Sequence, residues 1–379
     1  TQYNSWFDNM MKISDENILA SFIEIDRELN KAEVRPLDSY VVDDGWNAYN
    51  DGSIGAGSHA QSGAIENTEG FWTFNEKFPE GLTPSSELVK KFGSNFGVWV
   101  GPRGGYNFYT TLANIIERAQ KGSKAGHSID VADRVYVENF KKMAIKWQQD
   151  WDVNYWKWDG FADTAQYNHF NNLGGADGVP VYSESNHHMT GGYHQMYHVT
   201  DLWEAWIDLM EAVRQSEKED GINKLWISLT CYVNPSPWYL QWANSVWIQC
   251  VHDQKDASFG TTKMNKQITY RDACYYDFLK NHQFQFPLQN LYNHDPIYGK
   301  EGTGMTVNTA TDEDFQNYLY MLSTRGTAFW ELYYSDSIMT DGKYEITADM
   351  KEFMKDFCAG YADMEENAKE IRKVFDDTG

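Results

Sequence analysis

Short apolar runs alternate along the chain with longer amphipathic stretches, and this rhythm predicts strands that are each followed by a helix. The runs of strand length occupy residues 4–7, 39–46, 96–101, 155–161, 225–232, 246–251, 284–292 and 328–334. The helical patterns occupy residues 15–33, 85–92, 130–150, 201–218, 237–243, 263–281, 312–325 and 348–367. Ser14 and Thr311 each precede an acidic pair and are suited to cap the helices that follow them.

Eight predicted strands alternating with eight predicted helices favour an α/β fold, a (β/α)8 TIM barrel. An open, doubly wound sheet stays as the alternative, because a strand count does not show closure. Since no linker separates the elements, residues 1–379 are predicted to form a single barrel domain.

Three connections from a predicted strand to the next helix are long. They follow strands 2, 3 and 4, at residues 47–84, 102–129 and 162–200, whereas the returns from helix to strand are short. The insertions therefore gather at the carboxyl ends of the strands, where barrel enzymes build their pockets. The first two of these loops are rich in aromatic residues, namely Phe71, Trp72, Phe74, Tyr106, Phe108 and Tyr109.

The net charge and the composition argue against several classes of binding partner. A formal net charge of −23 argues against nucleic acid and against anionic membrane surfaces, both of which attract cationic proteins. No apolar run is long enough to span a membrane, and the first residues carry no basic stretch like that of a signal peptide. We therefore expect a soluble protein, with its compartment and oligomeric state undetermined. The 15 tryptophans suit either a large core or rings that stack on sugars.

Carboxylates stand at the ends of three predicted strands. Asp43 and Asp44 end strand 2, Asp159 ends strand 4, and Asp253 follows strand 6. The two-residue period of a strand places Lys157 on the same face as Asp159. Acidic residues at the carboxyl ends of separate barrel strands are typical of catalytic sites. Two carboxylates, a lysine and aromatic rings without a cofactor motif indicate glycoside hydrolysis, in which one carboxylate is nucleophile and the other is acid and base.

Taken together, these motifs resemble the retaining α-galactosidases of glycoside hydrolase clan D, and family 36 most of all. The matching segments, in family order, are NSWF at 4–7, VDDGW at 42–46, KFPEGL at 77–82, FGVWVGP at 96–102, KWD at 157–159, and strand 6 from Trp247 through HD at 252–253 to DA at 256–257. The resemblance covers most of the chain and implies the catalytic barrel alone, without the family's usual flanking β-domains.

The resemblance also implies roles for individual residues. Asp159 would be the nucleophile and Asp253 the general acid/base. Asp43 and Asp44 would bind the 4- and 6-hydroxyls of the sugar, and Lys157 would contact its ring hydroxyls. The partner implied is a carbohydrate with a terminal α-linked galactose, and the family needs no metal and no cofactor.

The implied pocket would be walled by Trp46 and Trp99. Electrostatics would divide the two catalytic roles, because the cation of Lys157 favours an anionic Asp159. Burial among Trp158, Trp247 and His252 is expected instead to favour a protonated Asp253. We further expect the two carboxyl groups to lie roughly 5–5.5 Å apart, the separation that retention requires.

Two segments depart from the family pattern. The family's Glu-Pro-Glu after strand 3 is Gly101-Pro102-Arg103 in this chain, and the glycine-rich stretch after strand 5 is replaced by residues 231–238. Only Cys231 survives of that stretch; Cys231 and Trp238, at its two ends, are expected to contact the substrate. Because this region reaches the 2-position of the sugar, N-acetylgalactosamine or a modified galactose stays open as the substrate.

Two alternatives from other classes remain. A metal-dependent hydrolase would use His187, His188, His194 and His198, although their spacing matches no zinc motif. A non-catalytic sugar-binding barrel would keep the pocket without the chemistry, but it would not need both Asp159 and Asp253. The four cysteines form no CxxC pair and are expected to be thiols; Cys231 and Cys250, on neighbouring predicted strands, are the pair that could approach.

Overall fold

A computed structural model describes most of the first four fifths of the chain. The described residues are 1–31, 33, 35–52, 65–105, 108–125, 127–160, 195–220, 225–230, 237–248, 257–281, 286–295, 297–298, 311–325 and 329–334. The predicted helix at 348–367 lies outside them.

Eleven strands and eight α-helices are formed by the described residues. The strands are β1 (Gln2–Asn4), β2 (Ser39–Val42), β3 (Asn95–Val100), β4 (Lys124–Ala125), β5 (Ser128–Ile129), β6 (Val153–Asp159), β7 (Trp226–Thr230), β8 (Ser245–Trp247), β9 (Leu291–Tyr292), β10 (Ile297–Tyr298) and β11 (Glu331–Tyr334). The α-helices are α1 (Trp6–Asn9), α2 (Asp15–Lys31), α3 (Thr83–Phe92), α4 (Tyr109–Arg118), α5 (Arg134–Trp151), α6 (Gln195–Asp220), α7 (Lys263–Tyr276) and α8 (Asp312–Arg325). None of the described helices is both long and apolar enough to cross a membrane.

The main sheet is parallel and curled, with strand order β10-β11-β1-β2-β3-β6-β7-β8-β9. Its two outermost strands, β9 and β10, lie only a few residues apart in the chain. Residues 291–298 thus pair with β8 through β9 and with β11 through β10. Counted as one, they make eight strands, an arrangement consistent with a TIM-like barrel, and the carboxyl ends of the strands therefore gather at one end of the fold.

Local signals in the sequence account for the ends of several helices. The Ser14 hydroxyl accepts a hydrogen bond from the Asn17 amide at 3.3 Å, and the Asn17 side chain accepts one from the Ser14 amide at 2.8 Å. Thr311 caps α8 in the same way, at 3.1 Å from the Asp314 amide. Helix α3 ends at Gly93, whose positive φ of 75° suits the left-handed cap.

Several sequence predictions are wrong in detail. The predicted strand at 4–7 is a strand only to Asn4, because Trp6 already begins α1. The predicted helix at 237–243 is a 3-10 helix, Pro237–Gln241. Helix α4 lies within the long connection predicted after strand 3; its apolar spacing at Leu112, Ile115 and Ile116 is helical and signals it.

The two faces of the parallel strands differ in chemistry. Outward residues such as Tyr40, Trp156 and Trp158 are apolar and buried, and they pack into one large core shared with the helices. The inward face carries many polar groups; Gln2 donates a hydrogen bond to the Tyr155 hydroxyl at 3.1 Å, and the hydroxyls of Ser228 and Ser245 are joined at 3.0 Å. Burying polar groups costs free energy, and the hydrogen bonds that these groups make with one another offset that cost.

Candidate active site

The end of β2 presents two neighbouring carboxylates, Asp43 and Asp44, both buried. The Asp43 amide donates a hydrogen bond to the Ser5 hydroxyl at 2.9 Å, and the Asp44 amide donates one to Asp43 Oδ1 at 2.8 Å. Gly45 then turns the chain with a φ of 128°, and a Cβ there would lie 2.8 Å from the carbonyl oxygen of Met11. Only glycine fits this turn, which fixes the direction of both aspartates.

Lys157, in the middle of β6, is buried between two acidic side chains. Its Nζ donates a hydrogen bond to Asp43 Oδ2 at 2.9 Å and lies 3.8 Å from Glu331 Oε1. Burial acts to lower the pKa of Lys157, but the charges of Asp43, Glu331 and Asp159 outweigh it and raise the pKa above its usual value. The lysine is therefore a permanent cation at the floor of the site.

Asp159 ends β6, on the same face as Lys157, and its two carboxylate oxygens have different surroundings. Trp99 Nε1 donates a hydrogen bond to Asp159 Oδ2 at 3.1 Å. Asp159 Oδ1 is buried, and no described residue hydrogen-bonds it. Lys157 does not bridge to Asp159 directly: it bonds Asp43 and acts on Asp159 through its charge. Within the described part of the chain, one oxygen is thus held by Trp99 and the other has no hydrogen-bond partner.

The two tryptophans predicted to wall the pocket occupy different positions. Trp99 contacts Asp159, as above. Trp46 is fully buried behind it; its Nε1 donates to the Trp99 carbonyl at 3.2 Å, and its ring packs against Trp147 at 5.1 Å. Trp46 therefore supports Trp99 from behind.

Asp44 lies in the most enclosed part of the site. The pKa of Asp44 is raised to about 7. Burial is the largest cause of this shift, and the charges of Asp43 and Asp159 add to it. The Tyr49 hydroxyl, which donates to Asp44 Oδ1 at 2.7 Å, works in the opposite direction. The pKa of Asp44 thus lies near neutral pH.

Three further residues of the site are not predicted by the sequence motifs. Tyr49 holds Asp44, and Glu331 approaches Lys157 from β11. His294 Nε2 lies 3.8 Å from Glu331 Oε2, and its ring stacks on Trp247 at 5.6 Å. Glu331 has apolar neighbours on β11, a pattern typical of an inward polar residue, but only the curl of the sheet brings it to Lys157.

The end of β3 also reaches the site. Arg103 is buried, and its guanidinium lies over the Tyr109 ring at 5.0 Å. A Cβ added to Gly160, the residue after Asp159, would lie 2.5 Å from Arg103 Nε. The arginine that replaces the family's glutamate thus packs against the backbone next to Asp159.

Two predicted positions fall elsewhere. Trp158 faces outward, because it alternates with Lys157 and Asp159 along the strand, and the centroid of its ring lies 6.1 Å from that of Phe140 of α5. Its expected part in burying Asp253 stays a prediction, since Asp253 lies outside the described residues. Trp238 lies on the 3-10 helix after β7, is 39% exposed and contacts Trp242 edge-on at 4.9 Å. No described contact joins Trp238 to the carboxylates.

Several predicted site residues lie outside the described part of the chain. They are Cys231, Cys250, His252, Asp253, His187, His188 and His194. The separation between Asp159 and Asp253 therefore stays a prediction. Within the described ranges, no group of three or more histidine, cysteine, aspartate or glutamate side chains is placed to hold a metal ion.

The described site can bind a neutral, hydroxyl-rich ligand and supply a carboxylate to it. Asp43, Asp44 and Asp159 offer oxygens that accept hydrogen bonds from hydroxyls, and Lys157 is a donor. Asp159 Oδ1 is a buried oxygen of a carboxylate whose other oxygen accepts a hydrogen bond from Trp99, so the rotation of this carboxylate is restrained.

Comparison with solved structures finds the fold of the enzymes that the sequence motifs resemble. No protein-family model matches the chain, and no curated protein is similar to it in sequence. The structure is similar to a family 36 α-galactosidase of Geobacillus stearothermophilus in complex with 1-deoxygalactonojirimycin, with a TM-score of 0.56 and 12% identity over 94% of this chain and 41% of that one. A variant of that enzyme in complex with raffinose gives a TM-score of 0.55 and 13% identity, over 94% and 41%.

An α-galactosidase of Lactobacillus brevis is similar as well, with a TM-score of 0.56 and 13% identity over 94% of this chain and 40% of that one. Identities this low show a shared fold. The resemblance drawn from the motifs is therefore confirmed at the level of the fold, and the chain spans about two fifths of the length of these enzymes.

Proposed function

We propose that this chain is the catalytic barrel of a retaining exo-glycoside hydrolase that removes terminal α-linked galactose or N-acetylgalactosamine. The observation that carries the proposal is the group formed by Asp43, Lys157, Asp159 and Trp99 at the carboxyl ends of parallel strands. These residues lie in a fold shared with α-galactosidases. Their motifs also follow one another along the chain in the order typical of that family. The carbohydrate partner and the single domain over residues 1–379 belong to the same proposal.

In the first step, Asp159 Oδ1 attacks the anomeric carbon and the bond to the leaving group breaks. Asp253 protonates the departing oxygen, which leaves a glycosyl ester on Asp159. In the second step, Asp253 takes a proton from water, which attacks the same carbon and frees Asp159. The role of Asp253 rests on the motif resemblance.

The other residues hold the sugar and the nucleophile. Asp43 and Asp44 accept hydrogen bonds from the 4- and 6-hydroxyls, and Lys157 donates to a ring hydroxyl. The Trp99 hydrogen bond fixes the rotation of the Asp159 carboxylate, so little orientation is lost on the way to the transition state. The assignment of each residue to a particular hydroxyl rests on the motif resemblance, and the donor and acceptor atoms of these side chains suit it.

The substituent at the 2-position is the open part of the substrate. Arg103 in place of a glutamate and residues 231–238 in place of a glycine-rich stretch both alter the region that reaches this position. A site that hydrogen-bonds the 2-hydroxyl closely rejects a bulky acetamido group, whereas a remodelled loop can accept it. These changes therefore leave both a plain α-galactoside and its 2-acetamido analogue open as the substrate.

The test is an assay of the purified chain on an aryl α-galactoside and its 2-acetamido analogue, each with and without a chelator. Hydrolysis of either substrate that is unaffected by the chelator supports the proposal. Loss of activity with the chelator would favour a metal-dependent hydrolase, and binding without turnover a non-catalytic barrel. If the galactoside is hydrolysed at least about a hundredfold faster than the analogue, the idea that the changed residues accept a substituent at the 2-position is wrong.

A further inference from the structure

Glu331 is a carboxylate with no access to solvent, in the interior of the barrel at the start of β11. Its Oε1 accepts hydrogen bonds from the side-chain amides of Gln2 and Asn4, both at 2.9 Å. An amide nitrogen can only donate, so these two contacts fix Glu331 as an acceptor. Both bonds come from β1, the neighbouring strand, and hold the carboxylate in one position.

The same oxygen faces Lys157 across the barrel. Glu331 Oε1 lies 3.8 Å from Lys157 Nζ. Asp43, which directly follows β2, bonds the same ammonium, with its Oδ2 2.9 Å from Nζ. The Tyr333 ring, two residues beyond Glu331, lies 6.0 Å from the same nitrogen. Three contacts from two strands therefore surround one flexible side chain.

Stability alone does not account for this arrangement. Burying a carboxylate costs several kcal/mol, and a buried ion pair is often no more stable than apolar side chains of the same volume. A lysine, unlike an arginine, presents a point charge on a flexible stem and takes a defined position only when its partners enclose it. Asp43 gives Lys157 one anchor, and Glu331 gives the second.

We propose that Glu331 is a positioning residue that holds the Lys157 ammonium against Asp43, where both meet the sugar. This inference rests on the proposed function, because Lys157 acts there on the ring hydroxyls. Glu331 itself does not touch the substrate. Its neutral variant, Glu331→Gln, keeps the size of the side chain, and its carbonyl oxygen can still accept from the amides of Gln2 and Asn4, but it lacks the negative charge that anchors the lysine.

The test is a double-mutant cycle of Glu331→Gln and Lys157→Met, assayed as kcat/KM on an activated aryl α-galactoside and normalised to the folded fraction. We expect Glu331→Gln alone to lower kcat/KM about 10- to 100-fold, the cost of a small misplacement. Added to Lys157→Met, it should change the rate less than about twofold, because there is no lysine left to position. Full additivity would overturn the proposal, since a direct contact with the sugar or a general loss of folding would act in both backgrounds.

Asp295→Asn is the matched control. Asp295 is also a buried carboxylate; its side chain pairs with Arg271 at 3.1 Å and accepts from the Tyr318 hydroxyl. Its main-chain carbonyl accepts from the Glu331 amide at 2.7 Å, a bond that asparagine keeps, so the variant changes only the side-chain contacts. Its variant should lower stability and leave kcat/KM per folded molecule unchanged. An equal loss in both variants would also contradict a specific role for Glu331.

A second cycle separates this inference from the proposed function. If the wild type or Lys157→Met has no measurable turnover, the same variants are compared by their urea midpoints. Glu331→Gln and Lys157→Met should then shift the midpoint by less than the sum of their separate effects, while Asp295→Asn and Lys157→Met should add. Additive midpoints for the first pair would overturn the positioning role, whatever the substrate is.

Discussion

At the scale of single residues, the account depends on the different surroundings of the two oxygens of Asp159. Trp99 holds Oδ2 at 3.1 Å, and no described residue bonds Oδ1. A hydrogen bond to a charged group contributes about 1.5–3 kcal/mol. Because this bond orients the proposed nucleophile, its loss should lower the rate more than it weakens the binding of the sugar.

Trp99→Phe tests that bond, since phenylalanine keeps an aromatic ring and removes the donor. We expect kcat to fall roughly 10- to 100-fold on aryl substrates, the equivalent of about 1.5–3 kcal/mol. Trp156→Phe is the control: it removes a similar bond, from Trp156 Nε1 to Gln148 at 2.9 Å, on the outward face of β6. A loss of kcat in the control as large as that in Trp99→Phe would contradict the role of Trp99.

Asp44 gives the protein a pH dependence of known sign. Burial raises its pKa to about 7, above the unfolded value of about 3.9. Between about pH 4 and pH 7, Asp44 therefore keeps its proton in the folded state and loses it in the unfolded state. The protonated carboxyl stabilises the folded state at low pH, and this part of the free energy of unfolding is lost as the pH rises from about 4 through 7.

We expect the wild type to lose unfolding free energy across this window relative to Asp44→Asn, whose amide does not titrate. The difference should be on the order of a few kcal/mol, measured by urea unfolding at several pH values between about 4 and 8. If the two proteins have parallel pH profiles, Asp44 is not protonated in the folded state.

At the scale of elements, the site depends on the turn that follows β6. Gly160 has a φ of 69°, and a Cβ there would lie 2.5 Å from Arg103 Nε. Gly93 has a similar φ of 75° at the end of α3, where an added Cβ would have nothing within 4 Å. Comparing an alanine substitution at Gly93 with one at Gly160 therefore separates two costs to the free energy of unfolding, that of the backbone conformation and that of the close contact.

Gly93→Ala should lower the free energy of unfolding by about 1 kcal/mol, through backbone strain alone. Gly160→Ala should cost about 1–3 kcal/mol more, because a buried arginine has to move, and should also lower kcat. Equal costs and unchanged turnover would show that Arg103 does not pack tightly behind Asp159.

The elements also show where sequence reasoning succeeds and fails. Parallel strands with a strong apolar pattern, such as β3 and β6, are predicted within one or two residues of their observed ends. Helix α8 is predicted with its observed bounds, because Thr311 gives it a clear start. The prediction misplaces β1 because the apolar run continues past Asn4 into α1, and composition alone does not mark that change of conformation.

At the scale of the whole molecule, the fold class follows from the alternation of strands and helices, and much of the site follows from the motifs. Asp43, Asp44, Lys157, Asp159 and Trp99 do come together. Glu331 escapes prediction because its contact with Lys157 joins β11 to β6 across the barrel, and such a contact depends on the curl of the sheet. Local patterns carry no information about which inward residues meet there.

The whole-molecule claim is a retaining mechanism, and the stereochemistry of the first product tests it most directly. Two successive displacements at the anomeric carbon restore its configuration, whereas one displacement by water inverts it. Proton NMR of the reaction with an aryl α-glycoside, recorded before the free sugar mutarotates, distinguishes the two. The account predicts that the α-anomer appears first, and that Asp159→Asn releases none; a β-anomeric first product, or near-normal turnover by Asp159→Asn, would contradict it.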